Sequence, residues 1–175
     1  MKYPFLIFTF FIGLITLFVL SCDTKNDPAV PNHNSSISTG NNNSFTVNLI
    51  NYSQMFPTCG VVDTFSSKHF MMSAVDITSQ FSGSVFFSDT ATPSSSGQYS
   101  IINPVTFSGS FGQNQCLVFF KDPSNTSNPN WFIMTGSVNL DVSGAKPACS
   151  MSNVIAYSFS DTSKHETITG GINCH

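Results

Sequence analysis

From Phe45 onward, apolar residues recur at every second position, and no stretch sustains the 3.6-residue period of an amphipathic helix. Phe45, Val47 and Leu49 alternate with Thr46, Asn48 and Ile50. Further apolar runs follow at Phe70–Ile77 and Phe81–Phe87. Tyr99, Ile101, Val105 and Phe107 share one parity, as do Cys116, Val118 and Phe120, a run closed by Lys121-Asp122-Pro123. A long segment runs from Trp131 to Val142, and the last two center on Ile155–Phe159 and Ile168–Cys174. Gly, Pro, Asn and Ser separate these segments, as turns between strands require. The pattern predicts an all-β domain over 44–175. An antiparallel β-sandwich, immunoglobulin-like or related, is the expected form, with a β-barrel as the alternative.

The strands are expected to bend. Trp131, Ile133 and Thr135 share odd parity, whereas Val138, Leu140 and Val142 share even parity. A switch at Gly136-Ser137 is what a β-bulge produces. Similar glycines at Gly83, Gly109 and Gly170-Gly171 read as strand bends, because no helix follows them to make a phosphate cradle.

Charge is scarce. Charged residues make up 9% of the chain against 41% hydrophobic, with 18 phenylalanines and no arginine. A chain this apolar is not disordered by charge. A net charge of -3 offers no cationic surface to displace counterions, so no nucleic-acid partner is expected.

The first residues carry a different signal. Met1-Lys2 precedes an apolar run from Phe5 to Leu20, which ends in Val19-Leu20-Ser21-Cys22. This resembles the signal of bacterial lipoproteins, in which an aliphatic and a small residue precede a cysteine that is lipidated as the leader is cleaved. The resemblance implies a signal peptide over 1–21 and an acylated Cys22 as the mature N-terminus. Its partner would be the membrane, reached through the lipid anchor. Residues 22–43, rich in Asn, Ser and Pro, have no apolar period and read as the lipidated cysteine and a disordered tether, which includes His33. Such a tether reaches about 25 Å. Gly97-Gln98-Tyr99-Ser100-Ile101 and the closing Ile168–Ile172 segment resemble strands of small surface lipoproteins of the Bacteroidetes. Asp89-Thr90-Ala91 resembles their short O-glycosylation motif. The implied address is the cell envelope outside the cytoplasm, at the outer membrane rather than the inner.

Cys59, Cys116, Cys149 and Cys174 lie in the domain. An exported chain with an even number of cysteines is expected to form disulfides, and four cysteines allow three pairings. A hairpin turning at Asp161–Lys164 brings Cys174 toward Cys149, which favors Cys149–Cys174 and leaves Cys59–Cys116. No free thiol is then expected.

Catalytic chemistry finds little support. There is no Gly-x-Ser-x-Gly elbow and no Cys-x-x-Cys pair, and His165-Glu166 lacks the second histidine of a zinc helix. His69 lies between Asp63 and Asp76 in sequence but reads as a strand residue at a sheet surface. Asp76, Asp89, Asp122, Asp141 and Asp161 fall at expected turns or strand ends, where aspartate serves the backbone, and Glu166 is the sole glutamate. Trp131 reads as core. Tyr52, Met55 and Phe56 before Pro57 read as an exposed apolar loop or one folded under itself. No cofactor and no metal are expected. The leading expectation is a non-enzymatic, membrane-anchored binding or structural module with a glycan or protein partner. A cell-surface hydrolase assembled from scattered Asp, His and Ser is the alternative.

The anchor is directly testable. Mass spectrometry of membrane-extracted protein is expected to find an acylated N-terminal Cys22. A Cys22→Ser variant that is processed and partitions to membranes unchanged would rule out the anchor.

Overall fold

A computed structural model describes residues 43–174. The leader, Cys22 and nearly all of the tether lie outside the described residues. The domain holds eleven strands and no helix among the described residues. They are β1 Ser44–Val47, β2 Ile50–Tyr52, β3 Met55–Thr64, β4 Ser67–Asp76, β5 Ser82–Phe87, β6 Gly97–Ile101, β7 Gln115–Lys121, β8 Asn130–Ile133, β9 Ser137–Asp141, β10 Ala148–Ser158 and β11 His165–Asn173. Hydrogen bonding runs β2-β1-β11-β10-β9-β6-β7-β5-β4-β3, with β8 bridging β10 and β7.

This one sheet folds over itself as a sandwich. Phe45 of β1 meets Phe120 of β7 edge-on at 5.2 Å between ring centers, and lies 6.0 Å from Phe81. Tyr52 of β2 stacks on Phe81 at 4.1 Å. Burying aromatic rings this way supplies about 1.5–3 kcal/mol per side chain. A single register departs from the antiparallel expectation: β6 and β7 run parallel, pairing Ile101 with Cys116.

The sheet forks where β8 and β9 separate. β8 occupies one end of the gap between β7 and β10, and β6 with β9 fills the other. The chain turns between these ends at Gly136, whose φ of 125° favors glycine. The parity switch therefore falls as expected, with Trp131, Ile133, Val138 and Leu140 all in the core. A bulge in β10 between Met151 and Val154 adds bend, with Asn153 at φ 51°.

Other glycines act differently from the expected bends. A Cβ on Gly83 would lie 2.9 Å from both the Phe120 and Phe45 rings, so this glycine is a seat for rings inside a regular strand. A Cβ on Gly170 would strike the Ser44 carbonyl oxygen and come within 2.8 Å of the Phe45 Cα. Gly109, at φ 95°, lies in a loop. The strand that begins at Gly97 stops at Ile101, because Pro104 lacks a donor and Asn103 Oδ1 accepts the Val105 N–H in a turn. Val105 is consequently exposed.

Two turns match the hairpin geometry in which both central residues have positive φ. Asn48 and Leu49 join β1 to β2, and Phe65 and Ser66 join β3 to β4. Leu49 is therefore 96% exposed at a turn, not a core partner of Phe45 and Val47. The Asp161–Lys164 turn forms as expected, with Lys164 N–H donating to the Asp161 carbonyl. Tyr52 and Met55 are buried strand residues, and only Phe56 is exposed. Only Ser53 and Gln54 lie between the strands there, and Met55–Pro57 belongs to β3.

The disulfide is Cys59–Cys174, with Cα atoms 5.9 Å apart. Cys116 and Cys149 are buried free thiols. The favored pairing fails because Cys149 stands opposite Ile172, two residues short of Cys174. Cys174 instead meets β3 from the far end of the strand order. Burial pushes the Cys149 thiol up to about 12, and the Cys116 thiol is raised by burial and by Cys149 nearby. Both are poor nucleophiles at neutral pH.

Gly170→Ala is expected to destabilize the domain by about 3 kcal/mol, because the obstacle is backbone that cannot yield. Gly97→Ala, with nothing within 4 Å of its Cβ, is expected to be nearly neutral. Thermal melts of the two variants check this contrast, and equal melting temperatures would contradict it.

Candidate functional site

Several central strands are apolar on both faces. Phe86-Phe87, Phe119-Phe120 and Trp131-Phe132 put one ring into the core and one on the outside of the sheet. Register then lines up the outer residues. Ser73, Ser84, Phe119, Phe132, Tyr157 and His165 stand opposite one another in turn across β4, β5, β7, β8, β10 and β11.

The rings form a chain of contacts. Phe65 meets Phe86 at 5.6 Å, and Phe86 meets Phe119 at 6.0 Å. Phe119 stacks on Phe159 at 6.0 Å, and Phe159 lies 4.4 Å from Phe132. Tyr157 follows at 6.5 Å and His165 at 6.4 Å beyond it. Phe132 and Phe86 are buried, whereas Phe65, Phe119, Tyr157 and Phe159 are half-buried. At one end of the stripe Ser73 Oγ and Ser84 Oγ are hydrogen-bonded at 2.9 Å. At that side the loop after β6 folds Phe107 and Phe111 against Phe65, at 5.3 and 6.0 Å.

His69 lies under this loop. It is 3% exposed, with its ring 4.6 Å from Phe111, so it is buried and not at the sheet surface. Its Nε2 is 2.6 Å from Ser67 Oγ, with Ser67 itself exposed. The buried Nδ1 has no hydrogen-bond partner among the described residues. Burial dominates and holds the histidine below its ordinary 6.5, against weaker opposing effects from Phe87 and Asp63.

The Ser67–His69 contact has the geometry of a hydroxyl beside a base, and among the described residues no group bonds the other ring nitrogen to orient it. Asp63 stands opposite Lys68, one residue out of step with His69, and so projects to the other face. Asp76 sits at the far end of β4, where its Oδ1 accepts the Thr78 and Ser79 amides. Asp122, Asp141 and Asp161 accept amides from Ser124, Ser143 and Ser163 in the same way. These bonds hold the Asp141 carboxyl below its usual range, as the Ser163 hydroxyl and amide do for Asp161. Glu166 is raised by burial and then by Asp122. No cluster of His, Cys, Asp or Glu fit to hold a metal occurs among the described residues.

A cleft of about 300 Å³ beside the disulfide is lined by Cys59, Gly60, Phe70, Thr92, Lys146 and Pro147, among others. His69 does not line it. Trp131 is core, and its Nε1 has no hydrogen-bond partner among the described residues. Thr90 of the glycosylation-like motif is exposed. No helix among the described residues is long and apolar enough to cross a membrane. No family model, curated protein or solved structure matches the chain.

Because His69 is held low, the unfolded chain takes up a proton before the folded one as pH falls below about 6.5. Stability is expected to be full above that value and to fall on acidification toward the folded-state pKa. His69→Gln is expected to flatten this slope in thermal melts between neutral pH and pH ~5. An unchanged slope would mean that His69 is not the group responsible.

Proposed function

We propose that the protein is an exported lipoprotein, anchored to the cell envelope through Cys22, whose domain binds rather than catalyzes. The outer aromatic stripe from Phe65 to His165 carries this reading. Phe86 and Phe132 form its buried floor, and the half-buried Phe65, Phe119, Tyr157 and Phe159 leave part of each ring accessible for contact. The preferred ligand is a glycan. Ring faces stack on the C–H side of sugars, and the adjoining Ser73 and exposed His165 supply hydrogen-bonding groups for the hydroxyls.

One observation favors a second reading, a surface hydrolase: the 2.6 Å contact between Ser67 Oγ and His69 Nε2. A fluorophosphonate probe discriminates the two. Labeling of Ser67 that disappears in His69→Gln would support the hydrolase, and no labeling supports the binding module.

The stripe is tested by retention on immobilized envelope polysaccharide. Phe119→Ala and Phe159→Ala are each expected to weaken retention about tenfold, the scale of a contact ring lost from an interface. Retention that is unchanged in the double variant would move the site elsewhere on the domain. Wild-type protein that ignores polysaccharide but binds a purified envelope protein would replace the glycan with a protein partner.

A further inference from the structure

β3 ends the strand order, and among the described residues nothing pairs with its second backbone edge. It is a long edge. Ten residues, Met55 to Thr64, pair with β4 on one side only. The tight turn at Phe65-Ser66 sets which groups are spent. Thr64 and Ser67 flank a two-residue hairpin turn and form its first hydrogen-bonded pair. Alternation from that pair sends the N–H and C=O of Val62, Gly60, Thr58 and Phe56 to β4. Those of Asp63, Val61 and Cys59 point away from the sheet. Pro57 falls on this outward set too, which is why a proline is tolerated in a strand otherwise fully paired.

Natural sheets blunt such edges with proline, charge or very short strands. Here the segment from Thr58 to Val62 has neither proline nor charge. Val61 is exposed, and a Cβ at Gly60 would meet nothing within 4 Å. The 300 Å³ cleft beside Cys59 and Gly60 is closed on its other side by Thr92, Lys146, Pro147 and Cys174.

We propose that β3 is a homodimer edge, on which a second copy of this chain lays its own β3 antiparallel about a two-fold axis at Val61. In this register Val61 faces Val61 of the second copy, and Cys59 and Asp63 face each other. The three open residues on each strand are then all used, making about six hydrogen bonds. Thr58 faces Thr64, a favorable cross-strand pair, and Gly60 leaves room for Val62. No like charges are opposed, and each Asp63 keeps Lys68 beside it on its own sheet. Pro57 stays outside the pairing. Moving the axis to Gly60 would draw Pro57 opposite Asp63 without a donor. Moving it to Val62 would set Cys59 against the turn at Phe65. The edge is self-complementary at one position, which favors a second copy over an unrelated strand. This dimer does not depend on what the aromatic stripe binds.

Sedimentation of the full chain across a concentration series, with amide hydrogen exchange, tests the proposal. The expected result is a dimer in which the Cys59, Val61 and Asp63 amides exchange roughly tenfold slower as concentration rises. Val61→Pro removes an outward donor without touching a β4 bond, and Gly60 tolerates the restriction that proline imposes. It is expected to be monomeric with a nearly unchanged melting temperature. If it fails to fold, Val61→Lys is read instead, since like charges across the axis oppose dimerization while the backbone is kept. A chain that is monomeric throughout, a dimer whose three amides exchange freely, or a readable variant that stays dimeric would each overturn the proposal.

Discussion

Phe45 holds the sandwich closed. Its ring is fully buried between the layers, against Phe81 and Phe120, and it fits because Gly83 opposite has no side chain. Its backbone is pressed onto β11 so closely that Gly170 is also required there. One large side chain and two missing ones thus fix both how far apart the layers stand and how β1 lies on β11. The disulfide acts at another point between the same layers. Cys59–Cys174 ties the strand at one end of the order to β11, across a sequence separation of 115. A bridge closing so long a loop removes much denatured-state freedom, typically about 2–5 kcal/mol of stability.

Scarcity of charge shapes the rest. With so few ionizable groups, turns rely on Asp, Asn and Ser that bond to amides a few residues on. That local service uses the carboxylates that a hydrolytic site would need. It also explains why Ser67 and His69 approach each other without an aspartate behind them. Their spacing of two along a strand puts them on one face whatever the function.

The strand pattern was readable because period-2 alternation survives wherever one face is buried. The Gly136 switch was visible for the same reason, as two parities meeting at a glycine. The edge strand β3 was not, since Pro57, Cys59 and Gly60 interrupt the alternation and only its free side makes that sequence tolerable. The pairing of the cysteines depended on how the sheet folds back on itself, which local spacing does not encode. His69 was misplaced because the loop that covers it, with Phe107 and Phe111, looked like a continuation of a strand. The aromatic stripe did have a signature. Doubled rings at Phe86-Phe87, Phe119-Phe120 and Trp131-Phe132 cannot all enter one core, because neighbors on a strand point to opposite faces.

That geometric excess bears on the proposed binding role. The core ring of each of these pairs fills the space between the layers. The outer rings are additional, and they are not scattered. Registers across β7, β8 and β10 bring Phe119, Phe132 and Tyr157 into a single row, with the Ser73–Ser84 hydroxyl pair on one side and His165 on the other. Packing accounts for Phe86 and Phe132, which are buried there, while the half-buried Phe119, Tyr157 and Phe159 leave ring surface that a flat ligand spanning several strands would meet. The row runs across the sheet and the open ladder of β3 runs along its edge, so a ligand on the face and a second copy at the edge would engage different groups of the same domain.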